Sequence, residues 1–205
     1  MQTHTDAKTA ATAVPLHPLL AERWSPRALD GDHLLSPGQL TALLEAARWA
    51  PSANNSQPWR FVVAQRGTAG HAAVLDVLAG GNRTWARDAS ALVLVAAETV
   101  SPEGVPRPWA VYDTGQAVAH LTVQAQHEGL CVHQLGGFDA EAATALLGRD
   151  GLQPLVVLAV GRRGDAALLP DPLASRERAP RTRLELDDLV LPLAPPERHD
   201  SARAA

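Results

Sequence analysis

The chain of 205 residues carries 18 Lys and Arg against 22 Asp and Glu, a net charge of −4, with 46% apolar and 20% charged residues. This is the composition of one sizeable globular domain, and its mild acidity gives no overall field for nucleic acid or an anionic membrane. A single cysteine, Cys131, excludes an internal disulfide and suits a buried thiol in a reducing cytoplasm, while no apolar run has the ~18 residues of a membrane span and the first residues lack the apolar core of a signal peptide.

Residues 1–15, rich in Thr and Ala, and the close at 194–205 hold too few apolar side chains to order themselves, so one folded domain is expected over 16–193. Ser36-Pro37-Gly38-Gln39 is a helix start, with serine as N-cap, proline at the first helical position and glutamine placed for a capping box. Leu40, Leu43, Leu44 and Ala47 recur at helical spacing until Pro51 ends the helix. Two short apolar, β-prone runs follow, Trp59–Ala64 and Ala91–Ala97, both expected as buried strands. A long helix is expected between Pro108 and Gly129, with Val111, Val118, Leu121 and Ala125 on one face. Leu130–Leu135 is a further strand, Asp139 caps a short helix that ends at Gly148, and Leu155–Val160 is the fourth strand. Residues 162–183 concentrate arginine among Pro, Asp and Leu and are expected as mostly irregular basic surface. Helices alternating with buried strands exclude a helical bundle and an all-β sandwich.

Several short stretches carry chemistry. Arg23-Trp24-Ser25-Pro26-Arg27 sets two guanidinium groups and a hydroxyl within one turn of chain, which suits phosphate oxygens, although arginines at a helix end are also commonly just solvated. Between Pro51 and Trp59, Ser52, Asn54, Asn55, Ser56 and Gln57 offer donors and acceptors to a heteroaromatic edge, with an ordinary capping loop as the plainer alternative. Asn82 before the second strand, Gly136-Gly137 after the third, and Arg181-Thr182-Arg183 are further polar or open positions at strand ends, where α/β folds place ligands. There is no Walker loop, Rossmann glycine fingerprint, Gly-x-Ser-x-Gly elbow or zincin motif, and the eight histidines do not cluster at metal-ligand spacing, so no metal is expected.

In this order, Arg-Trp-Ser-Pro-Arg, Asn-Ser-Gln-Pro-Trp-Arg-Phe, Asn82, Asp113-Thr114-Gly115, Gly-Gly-Phe-Asp at 136–139 and the late Arg-x-Arg resemble the FMN-dependent nitroreductase family, from about Leu19 to Leu191 and among its shorter members. The resemblance implies an α+β layered sandwich that forms a homodimer, with a central mixed, mostly antiparallel sheet flanked by helices and FMN in two clefts between the subunits. It implies that Arg23, Ser25, Arg181 and Arg183 hold the FMN phosphate, with Trp24 beside them. Arg27 would stand near flavin N1 and O2 as the catalytic charge. Pro51, Ser52, Asn55 and Gln57 would come from the other subunit, Asn82 would read the pyrimidine edge, and Gly136 and Gly137 would offer backbone N–H groups near N5 and O4. Val118 and Leu121 on the long helix are expected at the dimer interface.

The implied activity is ping-pong hydride transfer through flavin N5, from NADH or NADPH to a small electrophile such as a nitroaromatic or quinone, in the cytoplasm and with neither nucleic acid nor membrane as a partner. Two departures stand out. Trp85 lies near a position where some relatives carry lysine and is expected to shape the acceptor pocket, and Gly136 replaces an acidic residue. The alternatives are an FMN sensor or store without turnover, for which Trp85 would plug the flavin, and a relative acting on an aldehyde or enal.

Overall fold

The computed structural model describes residues 8–193 of the protein. Four strands, β1 (Trp59–Gln65), β2 (Ala91–Glu98), β3 (Cys131–Leu135) and β4 (Leu152–Gly161), form one sheet in the order β1-β2-β4-β3. All three pairings are antiparallel, so the expected mixed character is absent among the described strands. The helices are α1 (Pro18–Ala21), α2 (Pro37–Arg48), α3 (Ala69–Asp76), α4 (Gly80–Ala86), α5 (Ala110–His127), α6 (Ala140–Leu147), α7 (Asp171–Arg178) and α8 (Leu186–Leu189). The architecture is α+β, with helices on both faces of the sheet.

Side chains alternate across a strand, and both faces here are apolar, which is why β2 is buried along its whole length. Val93, Val95, Val132, Leu158 and Val160 face one core, shared with Leu43 and Ala47 of α2 and Ala117 and Leu121 of α5. Leu92, Leu94, Leu135 and Val157 face the other, shared with Val74 of α3, Trp85 of α4 and Ala143 of α6. The capping box of α2 forms in full: Gln39 N donates to Ser36 Oγ and Ser36 N to Gln39 Oε1, both at 3.1 Å. β4 starts three residues before the expected Leu155, because Pro154 sits at the register irregularity opposite Val95 and Ala96, where the ladder does not require its missing N–H.

Three expectations are corrected. The basic stretch 162–183 is half helical rather than mostly irregular, since a 3-10 turn, Ala166–Leu168, and α7 lie within it and α7 buries Ala174 and Glu177. Val118 and Leu121 are 4% and 1% exposed and point into the protomer's own core, so these two side chains offer no surface to a partner; the exposed side of the amphipathic helix carries Val111 and Tyr112 instead. The N-terminal stretch grouped as loose is tied down from residue 8. Ala10 N donates to Ala21 O at 2.8 Å, and Lys8 is buried with Nζ over the Trp24 ring, 4.6 Å from its centroid. The rest of the expected tails, 1–7 and 194–205, lies outside the described residues. No helix among the described residues is long and apolar enough to cross a membrane.

Candidate functional site

The segment after α1 is fixed by three parts of the fold. His133 on β3 donates Nδ1–H to Pro26 O at 3.1 Å. Glu177 on α7 accepts from Arg27 N at 2.9 Å and Ala28 N at 3.0 Å. Gly164 N donates to Ala28 O, and Asp30 N to Arg162 O, each at 2.9 Å. This last approach requires glycine, because a Cβ at Gly164 would lie 2.7 Å from Leu29 C and O.

Arg23, Arg181 and Arg183 meet at the end of this segment. Burial, and then the charges of Arg181 and Arg183, push the Arg23 guanidinium below its ordinary pKa; burial and Arg183 do the same to Arg181. None of the three forms an ion pair among the described residues. Arg181 also donates Nη1 to Lys8 O and Ala21 O, at 2.8 and 2.9 Å, so part of its fork holds the chain start. Trp24 lies beneath Lys8 and, with Lys8, Glu22, Pro26, Cys131 and Arg163, lines a cavity of about 550 Å³ whose lining includes none of the other expected cofactor residues. Burial pushes the Cys131 thiol in that wall up to about 12, which makes it an inert structural thiol.

Asn82, on α4 before the second strand, and the glycine pair stand together. Asn82 Nδ2 donates to Gly137 O at 3.2 Å, and a Cβ at Gly137 would stand 3.1 Å from that nitrogen. Gly136 has open space where its Cβ would be, so its backbone can be approached closely. Trp85, expected in an acceptor pocket, is instead 2% exposed in the second core, with its ring 4.7 Å from that of His133. Burial, and then the charge of Arg27, push the His133 pKa down, so this ring is a neutral support behind the Arg27 segment.

The loop between α2 and β1 contains a 3-10 turn, Ala53–Asn55, and three non-glycine residues in the left-handed region: Asn54 at φ 52°, Asn55 at φ 53° and Gln57 at φ 44°. Ser52 Oγ accepts from Gln57 N at 3.1 Å, and Gln57 Nε2 donates to Asn55 O at 3.2 Å, so both side chains shape the loop as well as facing outward from it. Asp113 on α5, 3% exposed, accepts from Ala53 N at 3.0 Å. Arg60 donates Nη1 to Gln57 O at 2.8 Å, while its Nη2 pairs at 3.0 Å with Glu98, a buried carboxylate that also binds Arg107 and Arg149. Pro51, Ser52 and Ala53 share a cavity of about 300 Å³ with Trp109, Tyr112 and Gln116 of the α5 start. No hydrogen bond among the described residues joins this loop to Arg23–Arg27 or to Asn82 and Gly137.

Sequence reasoning thus singled out the arginines, the loop, Asn82 and the glycines as candidates. It missed Glu177, His133 and Trp109, and it noted Asp113 only as part of a motif. A carboxylate on the apolar face of a helix was the signal available for Asp113; Glu177, amid other charged residues, gave none. Among the described residues no group of His, Cys, Asp and Glu could hold a metal ion.

Comparison with known proteins places the chain in a family. The profile of the Nitroreductase family matches residues 20–84. A 15.4 kDa protein of Mycolicibacterium smegmatis encoded in the ask 5′ region is 39% identical over 139 residues, covering 64% of this chain and 93% of that one. The Bacillus subtilis (strain 168) protein named "Putative NAD(P)H nitroreductase YdgI" is 25% identical over 185 residues, covering 72% and 88%. The crystal structure of an oxidoreductase containing FMN superposes with a TM-score of 0.85 at 35% identity, over 93% of this chain and 96% of that one. An FMN complex from Exiguobacterium sibiricum 255-15 shares the fold, with a TM-score of 0.71 at 23% identity over 89% and 99%. With this fold, these motifs and a relative more than one-third identical over nearly its whole length, the chain belongs to the nitroreductase family.

Proposed function

We propose that the protein is an FMN-dependent oxidoreductase that takes electrons from NADH or NADPH and passes them to a small electrophilic acceptor such as a nitroaromatic or quinone. The observation that carries this is the gathering of Arg23, Arg181 and Arg183, with Arg181 bound to the Ala21 carbonyl two residues before Arg23 and none of the three paired with a carboxylate among the described residues. Elsewhere the chain neutralises such a cluster internally, with Glu98 among Arg60, Arg107 and Arg149. Three guanidiniums that pair with no carboxylate among the described residues suit a phosphate dianion brought by a ligand. FMN, when bound, supplies a two-electron carrier that a nicotinamide reduces and an acceptor reoxidises. Ser25 would share the phosphate, Asn82, Gly136 and Gly137 would face the ring, and Arg27, on a fixed backbone, would stabilise negative charge on it in a site poor in water.

The loop 51–57 enters β1 and the glycine pair leaves β3, and these strands are opposite edges of the sheet. Three strand spacings put those edges at least about 14 Å apart, too far for one ring to touch both within a protomer. A homodimer that presents the loop of one copy to the cleft of the other resolves this. The exposed Trp49, Leu184, Leu186 and Leu191 supply apolar surface for such a contact. Trp109 and Tyr112, beside Pro51–Ala53, would then offer aromatic faces to a planar acceptor. The reading as a sensor without turnover loses the support it had from Trp85, since a core residue cannot plug a flavin.

Purified protein should be yellow, and anaerobic NADH or NADPH should bleach the flavin band. Arg23→Ala should mainly lower FMN retention, and Arg27→Ala mainly the rate of flavin reduction. A colourless protein that stays inert after FMN is added would overturn the proposal.

A further inference from the structure

Two buried carboxylates, Asp113 and Glu177, form no ion pair among the described residues. Each is spent on backbone N–H groups of a segment far away in sequence. Asp113 Oδ2 accepts from Ala53 N at 3.0 Å, across from α5 to the loop 51–57. Glu177 accepts from Arg27 N with both oxygens, at 2.9 and 3.1 Å, and from Ala28 N at 3.0 Å, across from α7 to the Arg23–Arg27 segment. Taking a carboxylate out of water is costly unless its lone pairs are used, so neither position is a natural place for an acid that only fills space.

The segments they hold would not keep their shapes unaided. Gln57 has a left-handed backbone, which for a residue other than glycine or asparagine persists where surrounding contacts over-determine it, and Asn54 and Asn55 share that region, which asparagine tolerates. The Arg23–Arg27 segment lies outside every helix and strand, so it lacks a ladder to fix its backbone.

We propose that Asp113 and Glu177 are positioning residues of the cofactor site, each holding one ligand-bearing segment in its working shape before the cofactor arrives. Charge-assisted bonds from rigid helices replace the regular hydrogen bonding that these segments lack. Glu177 fixes the backbone from which the Arg27 side chain springs, and Asp113 fixes the turn that displays Ser52 and Asn55. The assignment of these segments to FMN rests on the function proposed above, whereas the anchoring itself does not.

The test uses the full chain freed of flavin, with Asp113→Ala, Asp113→Asn, Glu177→Ala and Glu177→Gln, and reads backbone amide exchange and then FMN affinity. Asp113→Ala should speed exchange at 53–57 by about tenfold and leave 27–28 unchanged; Glu177→Ala should do the reverse. The amide variants keep an oxygen acceptor of roughly half the strength, so they should restore most of the protection, to within about threefold of the parent. FMN Kd should rise about tenfold in the alanine variants and less in the amide ones. If an alanine variant does not fold, its amide counterpart carries the test, with a local rise in exchange expected. Unchanged exchange at the named amides, or a rise spread evenly over the chain, would overturn the anchoring. Local loosening with an unchanged FMN Kd would overturn the link to the cofactor. A parent protein that binds no FMN would sink the proposed function, and with it the cofactor assignment, while the exchange measurement still decides the anchoring.

Discussion

Replacing Trp85 by alanine separates its two readings, as a wall of the acceptor pocket and as core. The indole is 2% exposed, packed in the second core and against the His133 ring, so its removal leaves a large cavity between α4 and β3. Trp→Ala in such a setting costs about 3–5 kcal/mol. In a domain of this size each kcal/mol moves the melting temperature by roughly 2–4 °C, so a fall of about 6–20 °C is expected. Trp109→Ala is the internal control. That indole is 61% exposed and lines the cavity beside Pro51–Ala53, so its loss should move Tm by no more than about 2 °C and instead raise KM for planar acceptors. Thermal melts of both variants, followed by turnover with a nitroaromatic and a quinone, make the comparison. A Trp85→Ala protein that melts like the parent but has a changed acceptor range would refute the core assignment.

Three further outcomes follow from the same contacts. Glu98→Ala should cost about 3–5 kcal/mol, because it leaves Arg60, Arg107 and Arg149 facing one another around a buried gap, and denaturant titration will measure it. Gly164→Ala should cost about 1–3 kcal/mol by overpacking, since its Cβ meets the backbone of Leu29, and it should weaken FMN retention as the neighbouring 27–30 segment shifts; an unchanged melt would contradict the close approach. The third concerns pH. Burial and Arg27 lower the folded pKa of His133 below its unfolded value near 6.5, so between the two values the unfolded chain holds the extra proton. Stability from neutral His133 is therefore complete above pH ~6.5 and is lost as pH falls through the folded value. His33 and His71 are lowered in the same direction, so His133→Gln should flatten the fall in Tm between about pH 7 and pH 5 without abolishing it.

The sequence alone determined the pieces. Spacing of apolar residues located α2, α5 and the four strands, because those signals are local and repeat at the periods of helix and strand. The motifs named the arginines, the polar loop, Asn82 and the glycine pair, because each chemistry needs particular residue types at short spacing. What pairs with what was decided only by tertiary structure. Apart from the short-range bonds within the loop 51–57, the contacts that hold the candidate site span long stretches of chain: Asp113 to Ala53, Glu177 to Arg27, His133 to Pro26, Arg181 to Ala21. Such pairings leave no periodic trace in a single sequence. The tryptophans show the same divide. An indole is chemically suited both to a core and to the wall of a cleft, so composition could count them, but only packing could bury Trp59 and Trp85, turn Trp24 beneath Lys8, and leave Trp49 and Trp109 exposed. Trp109, rather than Trp85, is thereby the exposed indole beside the loop 51–57, and the one that the proposed function would set before an acceptor.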